Sequence, residues 1–178
     1  MSAPLSLIVA CSENRVIGRG GRLVFRLDDD RTWFEHHTAG RTVVLGRLCF
    51  ESWPGATEVG RQPIVVSRQT GPLPAPARRA TSVADALAQA RTLPGEIMVC
   101  GGQRIYEETM PLADRLYLTL VHITVEGDRW FPAWRELSWR ESYRRESDEA
   151  GLHCTYLVLE RVRPQDIAPN APDRTHPS

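Results

Sequence analysis

Two segments of the sequence run from an apolar strand pattern directly into glycine and then a basic residue. In the first, residues 43–45 lead into Gly46 and Arg47; in the second, residues 97–100 lead into Gly101 and Gly102, with Arg104 close behind. Free backbone N–H groups at the start of a helix, together with a positive charge, attract anions such as a pyrophosphate. Either junction alone is more typical of a tight turn, but two in one chain favour a phosphate-bearing ligand.

A third basic residue in a similar setting is Arg68, which follows an apolar run ending at Ser67. An arginine there can pair with a 2′-phosphate and so distinguish it from a bare ribose hydroxyl. Taken alone, Arg68 is more typical of a solvated surface charge. Its interpretation therefore depends on the two glycine junctions.

An acidic run, Asp28, Asp29 and Asp30, opens a helical pattern. For Asp28 and Asp29 a role at the helix start is the simplest interpretation, because negative charge stabilises that end of a helix and a cap is needed there. Asp30 differs, since helical spacing places Trp33 and Phe34 beside its carboxylate. Apolar surroundings raise the proton affinity of a carboxylate, which suits proton-coupled chemistry. The spacing leaves Asp30 equally consistent with a cap and with an active-site acid.

Composition and motif content argue against several other classes of function. Twenty-two basic residues balance twenty-two acidic ones, so no global field would gather nucleic acid or an anionic membrane. The chain has no Ser-His-Asp ordering, zinc-ligand spacing or P-loop, and no strand on which basic residues alternate with aromatic ones. We therefore predict no metal site and no nucleic-acid partner. Structural roles are predicted for His36, His37, His122 and His153.

The four cysteines are widely spaced and lack the C-x-x-C pairing of metal or redox sites. We interpret Cys11, Cys49, Cys100 and Cys154 as buried, unpaired thiols. The apolar run at residues 5–11 has no basic leader and is much shorter than the roughly 20 residues of a membrane span. These features predict a cytoplasmic protein without a membrane partner.

Strand and helix patterns alternate along the chain. Short apolar runs predict buried strands at residues 5–10, 42–45, 64–67 and 97–100, and helices are predicted at 28–38, just after Gly46, at 82–90 and at 103–110. Ser82 and Asp85 approximate a capping box, and Pro111 ends the fourth helix. Two later runs, 115–125 and 154–162, alternate more and predict antiparallel strands separated by a charged stretch. The order of elements predicts an α/β protein with a mixed sheet.

At 178 residues the chain suits one domain that buries about 70% of the surface of its unfolded form. The proline-containing residues 71–79 predict an extended surface connection. Residues 164–178 are rich in proline and poor in apolar side chains, which predicts a disordered tail. The predicted domain therefore covers residues 1–163.

Six segments, in order and at near-family spacing, resemble the dihydrofolate reductase family between Leu7 and Arg161. They lie within residues 7–18, 30–34, 43–52, 97–106, 116–119 and 126–132. Any one match could arise by chance, whereas six in sequence are specific. The resemblance implies a three-layer α/β sandwich, with a central mixed, mostly parallel sheet flanked by about four helices. It also implies NADPH-dependent reduction of 7,8-dihydrofolate to 5,6,7,8-tetrahydrofolate.

The resemblance implies substrate-binding roles for individual residues. Asp30 matches the family's pocket acid, which bonds the amidine edge of the pterin and, with an ordered water, favours protonation at N5; Thr119 would brace it. Arg61 matches the arginine that clamps a carboxylate of the glutamate tail, a bidentate task suited to arginine. The residues implied to contact the pterin are Ile8, Val9, Ala10, Leu27, Phe34, Cys100 and Tyr106.

A longer set is implied for the cofactor, NADPH. The residues implied to contact it are Ala10, Ile17, Gly18, Gly46, Arg47, Leu48, Cys49, Ser67, Arg68, Cys100, Gly101, Gly102, Gln103, Arg104, Ile105 and Tyr106. The basic and glycine residues of this set would hold phosphates. Because the cofactor carries the hydride chemistry, the protein's part is to stack two flat rings and exclude water.

Residues 18–25 match the family's mobile flap, and Asp128 on a second loop would stabilise its closed form over the nicotinamide. Leu23 and Phe25 are implied to act at the catalytic centre, although the family usually carries Leu-Pro-Trp there and a proline just before the pocket acid. Phe25 keeps an aromatic wall but lacks an indole N–H. Losing both prolines predicts a looser flap and weaker trimethoprim binding. Leu48 and Cys49 replace a more polar pair, which predicts a weaker pyrophosphate contact.

Two other functions remain open from the sequence. One keeps the fold and NADPH but changes the substrate, as in the pyrimidine reductase domains of riboflavin synthesis; Asp30, Phe34 and Arg61 argue against it. The other is a non-catalytic protein that binds NADPH or folate, which the fold alone does not exclude. We expect a monomer whose partners are dihydrofolate and antifolate inhibitors.

Overall fold

The computed structural model describes residues 2–167, which contain one large sheet with helices on both faces. In chain order the strands are β1 (Leu5–Ser12), β2 (Val16–Arg19), β3 (Arg22–Leu23), β4 (Thr42–Gly46), β5 (Gln62–Val66), β6 (Arg78–Ala80), β7 (Ile97–Val99), β8 (Arg115–Val121), β9 (Arg129–Trp130), β10 (Trp139–Glu149) and β11 (Leu152–Arg161). The helices are α1 (Asp28–Thr38), α2 (Arg47–Glu51), α3 (Val83–Ala90) and α4 (Gln103–Thr109).

The large sheet has eight strands in the order β10-β11-β8-β1-β7-β4-β5-β6. From β8 to β6 every pairing is parallel, whereas β11 runs antiparallel to both β8 and β10. Three short strands, in the order β3-β2-β9, form a second sheet. The predicted mixed, mostly parallel sheet is therefore confirmed.

The alternation of side chains along β1 explains the three layers. Leu7 packs into a core cluster with residues of α3 and α4, while its neighbour Ile8 packs on the opposite face, against Phe34 of α1 and Cys49 of α2. Both side chains are buried. Because successive side chains of a strand point to opposite faces, a strand that is apolar throughout requires helices on both sides.

Five strands were missed by the sequence prediction: β2, β3, β6, β9 and β10. The charged stretch before residue 154 is β10, an edge strand whose arginine and glutamate side chains are mostly exposed. An edge strand has one neighbour and little buried area, so it lacks an apolar period. The prediction of an extended connection at residues 71–79 was partly wrong, since Arg78 and Arg79 begin β6, parallel to β5.

Several boundaries also differ from prediction. The strand predicted at 115–125 ends at Val121, and the fourth helix ends at Thr109, before a 3-10 turn over Met110–Leu112. Ser82 caps α3 as predicted, accepting a hydrogen bond from the Asp85 N–H at 3.0 Å.

In the predicted tail, Pro164–Asp166 forms a short 3-10 turn, and residues 168–178 lie outside the described residues. All four cysteines are free; Cys11 and Cys154 are buried, while Cys49 and Cys100 are partly buried. Within residues 2–167, the structure contains no helix long and apolar enough to span a membrane.

Candidate active site

A cavity of about 520 Å³ opens where β1 and β7 end, between α1, α2 and the β2–β3 hairpin. The predicted site residues that line it are Ile8, Val9, Ala10, Ile17, Leu23, Phe25, Leu27, Asp30, Phe34, Cys49, Cys100, Gly101 and Tyr106. Ligands of open α/β sheets bind at this edge, beyond the carboxyl ends of parallel strands. The predicted residues outside the lining are Gly18, Gly46, Arg47, Leu48, Arg61, Ser67, Arg68, Gly102, Gln103, Arg104, Ile105 and Thr119.

Asp30 lies in the first turn of α1, with its carboxylate among the apolar walls of this cavity. The Thr119 hydroxyl, on β8, donates to Asp30 Oδ1 at 2.6 Å. Burial is the largest influence on this carboxyl and raises its pKa, the Thr119 hydrogen bond opposes the rise, and the charges of Glu149 and Asp29 add to it. Asp30 therefore holds a proton more readily than a solvated aspartate.

The start of α1 is stabilised by a side chain from far along the chain. Leu27 occupies the N-cap and provides no side-chain hydrogen bond. The two carboxylate oxygens of Glu149 accept from the backbone N–H groups of Asp28 (2.7 Å) and Asp29 (3.0 Å). This contact joins the β10–β11 hairpin to the helix turn that carries Asp30.

The predicted capping role of Asp28 and Asp29 was therefore wrong in part. Both lie inside the first turn, where their charge suits the helix dipole, but Glu149 supplies the acceptors. The Asp29 carboxylate instead accepts from Ser147 (2.6 Å) and Arg145 (2.9 Å), and these hydrogen bonds lower its pKa. Asp29 thus links α1 to β10 through side-chain hydrogen bonds.

Replacing Glu149 with glutamine tests this link. We expect the pKa of Asp30 to fall relative to the wild type, because one of the charges that raise it is removed. Weaker capping is expected to cost about 1 kcal/mol of folding free energy. Carbon NMR of the Asp30 carboxyl during a pH titration measures the first effect and chemical denaturation the second. Glu146→Gln, an exposed carboxylate on the same strand, is the control; an unchanged Asp30 titration in Glu149→Gln would contradict the link.

The two glycine junctions predicted from the sequence meet in the structure. The Gly46 N–H donates to the Gly101 carbonyl at 2.9 Å, and the Cys100 N–H donates to Val44 at 2.8 Å. Gly101 has a φ of 115°, a conformation open to glycine, and its peptide bond to Gly102 is cis. The junctions thus bring the N-terminal ends of α2 and α4 to one side of the cavity.

The side chains at these helix starts have partners of their own. Arg47 pairs with Glu51 and Arg104 with Glu108, each at 2.9 Å and one helical turn apart. Leu48 is exposed, whereas Ile105 is buried in the core beside Gly46. The Arg104 side chain is therefore exposed and that of Arg47 partly exposed, while the Ile105 side chain serves packing.

Two further residues of α4 connect the site to its surroundings. The Gln103 side chain donates to Glu107 at 2.8 Å and accepts from the Trp130 N–H at 2.9 Å. The Tyr106 hydroxyl is buried and donates to the Ile8 carbonyl at 2.6 Å. Tyr106 thereby fixes the backbone of β1 where it borders the cavity.

Beyond β5, Ser67 and Arg68 lie in a loop outside the cavity lining. The Ser67 hydroxyl accepts from the Gln69 N–H at 3.1 Å, and Arg68 is exposed. Arg79, which the sequence prediction did not select, donates to the carbonyls of Gln69 and Gly71, the latter at 2.8 Å. Arg79 therefore shapes the loop that carries Arg68.

The β2–β3 hairpin forms the outer wall of the cavity. Leu23 is 77% exposed, while Phe25 is partly buried against the cluster of Leu27 and Val121. Asp128 joins the hairpin to the second loop: its carboxylate accepts from the Gly20 N–H at 2.9 Å, and its N–H donates to the Gly18 carbonyl at 3.0 Å. The mobility of this flap stays a prediction.

At the outer end of the cavity, Arg61 is buried and pairs with a carboxylate that the sequence prediction missed. Its guanidinium donates to Thr38 (3.0 Å), to the Gly55 carbonyl (2.8 Å) and to the Glu35 carboxylate. Glu35 lines the cavity together with Trp53, Ser52, Arg31, Arg26, Asp28 and Leu45, none of which was predicted. The sequence offered one signal for Arg31 and Glu35: each lies one helical turn along α1 from a residue that faces the cavity.

Among residues 2–167, no group of three histidine, cysteine, aspartate or glutamate side chains could hold a metal ion. The groups that surround the cavity fit an organic ligand with flat rings and phosphates. The cavity offers an apolar slot wide enough for flat rings, one poised carboxyl group and, at the adjacent helix starts, backbone donors with arginines.

Comparison with known proteins gives a consistent result. The family model for dihydrofolate reductase matches residues 4–161. The chain is 36% identical to a dihydrofolate reductase of Neisseria meningitidis serogroup A, and 39% identical to that of serogroup B, over 89% of this chain and 98% of each relative. It is also 36% identical to dihydrofolate reductase type 3 of Salmonella typhimurium, over 89% of this chain and 99% of that relative.

A solved structure is similar as well. It is dihydrofolate reductase from Enterococcus faecalis complexed with NADP(H) and RAB-propyl, with a TM-score of 0.76 and 28% identity over 90% of this chain and 99% of that one. Fold, cavity and comparisons agree: the chain belongs to the dihydrofolate reductase family.

Proposed function

We propose that this chain reduces 7,8-dihydrofolate to 5,6,7,8-tetrahydrofolate with NADPH. The observation that carries the proposal is the partly buried Asp30, held by Thr119 among the apolar walls of a cavity that borders the two glycine junctions. A pterin needs a flat apolar slot and an acceptor for its amidine edge, and a dinucleotide needs backbone donors beside its phosphates. Both requirements are met at adjoining parts of one site.

In this proposal the pterin lies between Ile8 and Phe34, with its amidine edge against Asp30. Val9, Ala10, Leu27, Cys100 and Tyr106 complete the slot. Inhibitors that carry a similar diamino heterocycle would use the same contacts, which supports antifolates as ligands of this pocket. Thr119 acts through Asp30 by orienting its carboxylate.

The cofactor residues follow from the neighbouring wall. Bound NADPH supplies the hydride. Ala10, Ile17, Gly18, Cys49, Cys100, Gly101 and Tyr106 would border the nicotinamide half; Gly46, Arg47, Leu48, Gly102, Gln103, Arg104 and Ile105 would hold the pyrophosphate; Ser67 and Arg68 would hold the 2′-phosphate. Arg47 and Arg104 would exchange their intrahelical carboxylates for phosphate oxygens, which bind arginine with two parallel hydrogen bonds.

Reduction adds a hydride to C6 and a proton to N5, so the C6=N5 double bond becomes a single bond. Protonation of N5 first makes C6 a better hydride acceptor. The raised pKa of Asp30 supports this order, because burial favours the protonated form of the carboxyl group and so assists proton supply to the bound ring. Leu23 and Phe25 would cover the reacting atoms and exclude water.

We further propose that residues 1–163 form the reductase domain and that the protein acts as a monomer. Four unpaired thiols support a reducing compartment, and with it a cytoplasmic location.

The direct test is NADPH oxidation by purified protein in the presence and absence of dihydrofolate. We expect NADPH consumption that requires dihydrofolate and yields tetrahydrofolate in equal amount. Binding of NADPH without turnover would favour a non-catalytic binding protein. Turnover of a ribosylamino pyrimidine in place of dihydrofolate would favour the reductase of riboflavin synthesis.

A further inference from the structure

The outer end of the cavity contains a ready-made carboxylate site. Arg61 Nη2 and Trp53 Nε1 both donate to the side chain of Glu35, the indole at 3.3 Å, and the guanidinium lies 4.8 Å from the centre of the Trp53 ring. Two donors converging on one carboxylate are what a ligand carboxylate needs. In this protein the carboxylate comes from the chain itself.

Arg61 has little freedom to leave this position. It is 1% exposed, and its remaining donors are used by Thr38 and by the backbone carbonyls of Gly55, Glu58 and Glu35. A guanidinium so buried requires an anionic partner, since an unpaired charge in that position is costly. Glu35 neutralises it when no other anion is bound.

Glu35 is the more exposed partner of the pair. Its side chain is 40% exposed and borders the cavity, so it can rotate towards solvent without disturbing the core. Arg31 lies one helical turn earlier on α1, is exposed and also borders the cavity. Side chains four residues apart on a helix are neighbours, so Arg31 offers the displaced Glu35 carboxylate a second cation.

We propose that Glu35 is a specificity-determining residue that occupies the site for the substrate's tail carboxylate and must be displaced by it. This inference rests on the proposed function, in which Arg61 binds the glutamate tail of dihydrofolate. Displacing Glu35 costs free energy and so weakens the binding of ligands that carry a tail carboxylate. Tail-free pterins do not displace Glu35, so their affinity is unaffected. Glu35 therefore reduces the preference of the site for dihydrofolate over a tail-free dihydropterin.

Glu35→Gln tests the proposal, because the amide keeps the size and the hydrogen-bonding oxygen of the side chain but removes its charge. The KM values of dihydrofolate and of 7,8-dihydrobiopterin, which has no glutamate tail, are compared in each protein. Because the charge that competes for Arg61 is removed, we expect the KM of dihydrofolate to fall roughly tenfold, which corresponds to about 1.4 kcal/mol. The KM of dihydrobiopterin should stay within about twofold.

A binding measurement without turnover accompanies the kinetics. Methotrexate carries a glutamate tail, and 2,4-diamino-6-methylpteridine does not; both are titrated by fluorescence quenching. Glu35→Gln should tighten methotrexate binding alone. The matched control is Glu58→Gln, an exposed carboxylate nearby that reaches Arg61 only through its backbone carbonyl; it should change neither ligand's affinity.

Glu35→Asp provides a second variant that retains the charge if the glutamine variant folds poorly. Its shorter side chain should hold Arg61 less well and lower the dihydrofolate KM by a smaller factor. Equal changes for tailed and tail-free ligands, or unchanged or weaker dihydrofolate binding in both variants, would overturn the inference. Wild-type protein that reduces neither substrate would instead contradict the proposed function, so the two failures are distinguishable.

Discussion

Asp30→Asn is expected to lower kcat/KM for dihydrofolate about 10²–10⁴-fold at neutral pH, the range found when a positioned proton donor is removed. The amide has nearly the shape of the carboxyl group and can still accept a hydrogen bond from Thr119. What it loses is the titratable proton and the ability to accept two hydrogen bonds from an amidine. The loss should therefore appear in the reduction step, as a lower rate of NADPH oxidation in a single turnover.

The pH dependence of this variant separates proton transfer from binding. Solvent can protonate bound substrate more readily as the pH falls, so the ratio of wild-type to variant rate should shrink in acid. NADPH affinity, measured by fluorescence, should match the wild type and serves as the control for folding. A loss of the same size at every pH would assign Asp30 a binding role only.

Gly127→Ala is expected to produce the second large effect, through packing. A Cβ at this position would lie 2.2 Å from Val16 Cγ1 and 2.6 Å from the Gly18 carbonyl oxygen, both in β2. These atoms belong to the strand that joins the flap to Asp128, so the backbone must move apart. Such overpacking costs about 1–3 kcal/mol, which in a chain of this length lowers Tm by several degrees.

The same displacement would detach Asp128 from the hairpin, and the rate of dihydrofolate reduction should fall with it. Thermal unfolding and steady-state rates are measured for Gly127→Ala beside Gly21→Ala. Gly21 lies at the tip of the same hairpin, where an added Cβ meets no atom within 4 Å. Its φ of 75° makes alanine cost about 1–2 kcal/mol but without a steric clash. Equal rate losses in both variants would exclude the contact between the two loops as the cause.

The elements and contacts encoded locally were predictable from the sequence. The bounds of α1 are those expected from the acidic run and the helical pattern, and Ser82 caps α3 through a contact three residues away. The two glycine junctions were also identified from local sequence, and they lie side by side in the structure because parallel strands end at the same edge of a sheet.

Contacts between distant segments were not predictable in this way. Glu149 reaches the start of α1 from 121 residues away, and nothing in either segment indicates the other. The strand β10 was missed because an exposed edge needs no apolar residues, and its charges pair across and along the strand, as in Arg140 with Glu160.

The partner of Arg61 was also beyond prediction from the sequence. The sequence supplied its residue type, and the resemblance supplied its role, but neither indicated that Glu35 would occupy its guanidinium. Pairing of two side chains 26 positions apart depends on the angle between α1 and the segment before β5. The inferred effect of Glu35 on substrate choice therefore arises from tertiary structure.

The central claim, that this cavity carries hydride from NADPH to dihydrofolate, is tested most directly by tracing the transferred atom. NADPH deuterated at C4 is reacted with dihydrofolate, and the product is examined by NMR. The account predicts tetrahydrofolate with one deuterium at C6 and a solvent-derived proton at N5. Absence of deuterium from the folate product, or its appearance at a position other than C6, would contradict it.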